Sequence, residues 1–208
     1  MNGGAEDAEN NKNGDIGLEL RKFHHVKKGI RAFAVAETFN KFDKRSTLAG
    51  VVMRRDMIVD GLVFGTATTE GNDSTENILS MFKSLNRNDV NCIMLNGLII
   101  SMFNIIDGKK LMHETQLPII ALTFHDSAGL GNSIREHFPL DAEKKLLQYA
   151  NLGERDRVTL KTGKSVFIRH WGLTLKNAIM VLDCFTLQGS IPEPIRIAKL
   201  AARAGAKK

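Results

Sequence analysis

Three short segments of alternating bulky and small or polar residues stand one after another at 30–39 (IRAFAVAETF), 47–54 (TLAGVVMR) and 57–66 (MIVDGLVFGT). The connections between them are short and polar, the second being Arg54-Arg55-Asp56. A period of two with such short links permits little but an antiparallel meander, because strands joined by a few residues must reverse direction. No helix-like stretch precedes this meander within the apolar part of the chain. Whatever follows must therefore be built onto a sheet that already exists.

The pattern then changes. Asp73 stands just before a helix-like stretch, with Glu76 three positions on, which is the arrangement of a capping box. Ile78, Leu79, Phe82 and Leu85 fall on one face of that helix. An apolar strand at 91–96 (NCIMLN), a helix near 107–116 and an apolar strand at 118–124 (PIIALTF) come next. Alternation of this kind is a parallel βαβ continuation. A short helix is expected at 141–151, a hairpin over 158–168 turning at Thr162-Gly163, and an apolar helix at 174–188 stopped by Gly189. Pro192 and Pro194 open a last helix, where a missing N–H costs little. The sum is an α/β fold: a mixed sheet of about five strands, three antiparallel and then parallel βα units, flanked by helices. Among α/β architectures that order is characteristic of the ribonuclease H-like fold.

Residues 1–15 (MNGGAEDAENNKNGD) have almost no apolar side chain and are expected to form a disordered acidic tail. No linker divides the remainder, so 16–208 is expected to be a single domain. The net charge is +6. Residues 1–14 hold Glu6, Asp7 and Glu9 against Lys12, a net −2, which leaves +8 on 15–208. Arg196, Lys199, Arg203, Lys207 and Lys208 lie in the last 14 residues with no carboxylate side chain among them, and a second basic stretch spans 21–31. This balance excludes an acidic solvating protein and admits a polyanionic partner, nucleic acid above all. Cys92 and Cys184 are too few for a disulfide framework and read as buried free thiols. With no signal peptide and no apolar run near 18 residues, the expected setting is the cytoplasm, with no membrane partner.

Several polar residues sit where chemistry could be carried. Glu37 is the one acid of the first strand: it either binds a cation or reaches water at the strand end. Asp73 is either a plain N-cap or part of a site at the helix entry. Asn96-Gly97 end the fourth strand, at the edge where parallel sheets present residues to ligands. Glu37, Asp73 and a third oxygen donor there would make a hard-cation site for Mg²⁺, although asparagine offers a carbonyl without charge. Ser101, Asn104 and Asp107 either line a cleft or act as turn and cap residues. His170, beside Arg169 and Trp171, either supports a base or phosphate or marks a packed corner. His24-His25 read as solvated; His113, His125 and His137 lack ligand spacing. No zinc signature, Walker loop, GxGxxG or GxSxG elbow is present.

The stretches VFGTATTEGNDSTENI, IMLNGLIISMFNIID, LKTGKSVFIRHWGLTLKNA and IPEPIRIAKLAARA resemble an uncharacterised, mainly archaeal protein family that is itself similar to endonuclease V. The resemblance covers roughly residues 28–204. It implies a ribonuclease H-like fold and Mg²⁺-dependent cutting of nucleic acid near deaminated adenine. Glu37 matches the family's first acid and Asp73 the second. Asn96 stands where the third is aspartate, and His170-Trp171 occupy the region of a further polar position, often histidine. The Tyr/Pro-rich loop that probes lesions has no match in TATTEGN. Replacing an aspartate by Asn96 removes a charge from the metal site, and losing the probing loop removes the part that opens a duplex.

Three functions follow as expectations. The first is a nucleic-acid-binding protein with a degraded Mg²⁺–carboxylate site, acting in DNA or RNA repair or processing. The second is an active Mg²⁺-dependent endonuclease in which Glu37, Asp73, Asn96 and His170 are catalytic. The third is a small-molecule- or protein-binding relative with a pocket along Gly97–Asp107.

Overall fold

The computed structural model describes residues 29–126 and 129–206. The chain runs β1 (Arg31–Thr38), β2 (Arg45–Arg54), β3 (Val59–Thr68), α1 (Ser74–Ser84), β4 (Cys92–Asn96), then a two-residue pair β5 (Ile99–Ile100) and β6 (Asn104–Ile105). It continues through α2 (Gly108–Thr115), β7 (Ile119–Thr123), α3 (Gly131–His137), α4 (Ala142–Ala150), β8 (Asp156–Thr159), β9 (Ser165–Trp171), α5 (Leu175–Phe185) and α6 (Glu193–Gly205). The expected acidic tail and basic lead-in up to residue 28 lie outside the described residues, as do Lys207 and Lys208.

The meander forms as the alternation predicts: β1 pairs antiparallel with β2, and β2 with β3. β4 lies parallel to β1, and β7 parallel to β4. Both are buried on two faces, which is why they read as unbroken apolar runs rather than alternating ones. The sheet has seven strands in the order β3-β2-β1-β4-β7-β9-β8, against the expected five or so. The extra pair is the hairpin predicted around Gly163. It docks antiparallel on β7, extending the sheet instead of standing apart.

The two faces are covered separately. Val35, Leu95, Ile119 and Ala121 pack with α1 and α2 through Ile78, Leu79 and Leu111. Ala34, Met94, Ile120 and Ile168 pack with α5 through Ala178, Val181, Leu182 and Phe185. Each large side chain so buried contributes about 1.5–3 kcal/mol. Cys92 is buried and Cys184 half-buried; both are free thiols.

Two local expectations fail. α5 stops at Phe185, because Thr186 turns extended and its hydroxyl donates to the Leu182 carbonyl. Gly189, with φ +67°, therefore belongs to the following turn and does not cap the helix. Asp73 does occupy the N-cap position of α1, but its side chain makes no cap. The Ser74 amide donates instead to Asn104 Oδ1 at 3.2 Å, and Glu76 pairs with Lys110, so no capping box forms.

Candidate functional site

Glu37 projects from β1 beside Leu48 of β2, at the edge of the sheet where β1 and β4 end. It does not hang free in water. Oε2 accepts the Ser101 amide at 3.2 Å, and Oε1 accepts the Ser101 hydroxyl. The Ser46 hydroxyl lies 2.6 Å from that of Ser101 and extends the chain into β2. One serine thus occupies both oxygens of the carboxylate.

Asp73 is held as firmly by a different set. Oδ1 accepts the Thr68 amide at 3.0 Å and the Asn104 amide nitrogen at 2.7 Å, and Oδ2 accepts the Thr68 hydroxyl at 2.7 Å. Burial by itself pushes its pKa up, but the Thr68 and Asn104 hydrogen bonds, with one from Asn77, outweigh burial and hold it at about 2. Asn104 is fully buried and has no spare capacity, since Nδ2 also donates to the Thr68 carbonyl and Oδ1 caps Ser74.

Both carboxylates therefore lean on one small support, the β5–β6 hairpin, through Ser101 and Asn104. Its turn is unusual: Ser101, Met102 and Phe103 all have positive φ, at 45°, 55° and 67°. Left-handed backbone costs about 1–2 kcal/mol per non-glycine residue, so three in succession need outside support. Part of it comes from Lys145 of α4, which is 4% exposed. Its ammonium donates to the Phe103 carbonyl at 2.9 Å, the Gly71 carbonyl at 2.8 Å and Asn72 Oδ1 at 3.0 Å, and lies 5.0 Å from the centre of the Phe138 ring. Burial pushes its pKa down. Among the described residues no carboxylate lies within ion-pair distance of it. Lys145 so ties the loop that carries Asp73 to the turn that holds Glu37.

Asn96 ends β4, and with Glu37, Gly97, Ile100 and Ile106 it lines a small open pocket. A second pocket, lined by Thr123, Phe167, Arg155 and Arg169, shares Gly97 with the first. Gly97 has φ +89°, and nothing lies within 4 Å of where a Cβ would be.

His170 is not brought to this edge. β9 runs antiparallel to β7, so His170 pairs with Ile120 near the start of β7, while Arg169 pairs with Ala121 and Phe167 with Thr123 at its end. His170 Nδ1 lies 2.9 Å from the Leu173 carbonyl and Nε2 3.5 Å from Asp156, and Trp171 covers Gly108 at the start of α2. Asp107 caps α2 by accepting the Lys110 amide at 2.9 Å. His137 pairs with Glu70 at 2.6 Å and stacks with Phe103 and Phe138. On α6, Arg196 is paired with Glu193 at 3.2 Å, which leaves Lys199 and Arg203 as its described unpaired cations.

The oxygen donors at the edge are thus Glu37, Asp73 and the neutral Asn96. Among the described residues no three His, Cys, Asp or Glu side chains are grouped so as to hold a metal ion. No helix among them is long and apolar enough to cross a membrane.

Known proteins share this architecture. A protein of unknown function from Archaeoglobus fulgidus superposes with a TM-score of 0.72 at 23% identity, covering 84% of this chain and 97% of its own. Endonuclease V of Ciona intestinalis, solved with a 24mer DNA containing an inosine followed by a ribo-adenosine, gives a TM-score of 0.57 at 14% identity, covering 88% and 87%. At that identity the likeness shows the fold, which is that of endonuclease V. In sequence, a UPF0215 protein of Pyrobaculum calidifontis is 35% identical over 169 residues, 81% of this chain and 93% of the relative. Residues 28–205 match the family described as Endonuclease dU, and the chain belongs to that family.

Proposed function

We propose that this protein binds nucleic acid across the sheet edge formed by β1, β4 and β7, in DNA or RNA repair or processing, with a Mg²⁺–carboxylate site too weak to drive efficient cleavage. Support for the partner comes from the family's description as an endonuclease and from the DNA held by a protein of the same fold. One observation carries the weak site: both carboxylates are already engaged by protein donors, Glu37 by Ser101 and Asp73 by Thr68 and Asn104. The third donor, Asn96, brings no charge. Mg²⁺ demands near-octahedral oxygen ligation and gives up water reluctantly, so a donor set with two occupied carboxylates does not suit it. Ser101 and Asn104 instead fix the acids as parts of the scaffold.

A Mg²⁺-dependent endonuclease is the second reading, favoured by the pocket that Glu37 and Asn96 share. The pocket does not suit a small-molecule function. It encloses roughly 200 Å³ including its open mouth, below the ~300–1,000 Å³ of small-molecule sites. The test is a cleavage assay with Mg²⁺ on oligonucleotides containing deoxyuridine or inosine, comparing the native protein with Asn96→Asp. The proposal expects binding without appreciable cleavage by the native protein and more cleavage by the variant. Turnover by the native protein that Asn96→Asp does not improve establishes the second reading.

A further inference from the structure

The pocket beyond Gly97 holds a charge arrangement that the scaffold does not require. Arg169 is half-buried, and its one recorded hydrogen bond runs from Nε to the Gly153 carbonyl at 2.9 Å. Among the described residues no carboxylate pairs with it. Burial pushes its pKa down, and Arg155 close by adds repulsion. Arg155 lies flat over Phe167, 4.9 Å from the ring centre, and bonds Asp126 at 3.1 Å; that carboxylate is 77% exposed, so water screens it. Two guanidinium groups are thus gathered in one cleft at the end of the parallel strands, partly dehydrated and incompletely neutralised. A guanidinium fork is suited to two oxygens of one phosphate.

The route to this cleft is open. Gly97 is the one residue common to both pockets, and the space over its α-carbon is empty. The Glu37–Asn96 pocket lies over β1 and β4 and the arginine pocket over β7 and β9. That is two strand spacings, or roughly 10 Å. A nucleic-acid strand places phosphates every ~3.4 Å of helix rise, so it spans this gap within a few nucleotides.

We infer that Arg169 and Arg155 form a phosphodiester subsite, and that a bound strand crosses the bare backbone of Gly97 between this subsite and the Glu37–Asn96 pocket. The inference rests on the nucleic-acid reading above and gives the strand its direction across the sheet. His170, one residue away but facing α5, has no part in it.

The test is binding of a single-stranded oligonucleotide by native protein, Arg169→Gln and Arg155→Gln across a salt series. Losing one phosphate contact lowers the slope of log K against log salt by about 0.7, and affinity at 0.1 M salt by about fivefold. A series of oligonucleotides, each with one uncharged methylphosphonate, should contain a position that weakens native binding by that factor and leaves Arg169→Gln unaffected. Inorganic phosphate and a mononucleotide serve as competitors. Displacement of the strand by either at stoichiometric concentration would mean a free-anion site and overturn the inference. Unchanged slopes in both variants would overturn it while leaving the nucleic-acid reading standing. No binding of any oligonucleotide by native protein would overturn both. If Arg169→Gln does not fold, the Arg155→Gln slope and its methylphosphonate series decide the matter alone.

Discussion

Asp73→Asn separates a carboxylate that supports the fold from one kept for a metal. Asparagine is nearly isosteric here: its carbonyl can accept from the Thr68 amide and Asn104, and its amide can donate to the Thr68 hydroxyl, so what is lost is charge. The carboxyl is held at about 2 against an ordinary 3.8, which at ~1.36 kcal/mol per pH unit corresponds to about 2.4 kcal/mol. The group is only partly shielded from water, which reduces the effect to about 1–2 kcal/mol. Because the folded pKa is the lower one, this stability is fully present above pH ~4 and is lost as pH falls towards 2. Urea denaturation at stepped pH should show the variant about 1–2 kcal/mol less stable at pH 7, with the gap closing between pH ~4 and ~2. A poised metal site behaves oppositely, because crowded carboxylates repel in the absence of the ion. A variant more stable than the native protein at neutral pH, or a gap that does not change down to pH 2, would refute the reasoning.

Three further perturbations follow from the same geometry. Lys145→Met leaves the Gly71 and Phe103 carbonyls and Asn72 Oδ1 without their donor and should cost about 3 kcal/mol in chemical denaturation; a loss below ~1 kcal/mol would deny Lys145 its role. Gly108→Ala drives a methyl group into the ring of Trp171, and a melting temperature lowered by the equivalent of about 1–3 kcal/mol is expected. Cys92, fully buried with burial pushing its thiol up to about 12, should resist iodoacetamide in the native state and react only on unfolding; rapid native labelling at Cys92 would contradict its placement.

Much of the fold was legible in the sequence because its signals are local. Alternation marked β1–β3, continuous apolar runs marked β4 and β7, and prolines marked α6. The β8–β9 hairpin was legible as a hairpin, but its docking on β7 is a long-range pairing without a local signature. β5 and β6 are too short for any periodicity to show, and the left-handed turn between them contains neither glycine nor asparagine to betray it. α3 was missed for want of length, and α5 was drawn too long because Leu187 continues its apolar run.

The site divides the same way. Glu37, Asp73 and Asn96 could be named from their positions at element ends, but what engages them could not. Ser101 and Asn104 were noted as polar residues in an apolar stretch, which is the trace that buried support leaves. Lys145 left none, since a lysine on a helix reads as solvated. The choice between Arg169 and His170 depended on strand direction and parity, both hidden until β9 is known to run against β7.

The central claim is that nucleic acid binds this edge through charge and without a tightly held cation. It is tested most directly by titrating a single-stranded oligonucleotide onto the native protein at stepped salt, once in chelator and once in Mg²⁺. The account predicts binding in chelator, with log K falling linearly in log salt by about 0.7 per phosphate contacted and no strengthening by Mg²⁺. Binding that is absent in chelator and appears only with Mg²⁺ would contradict it.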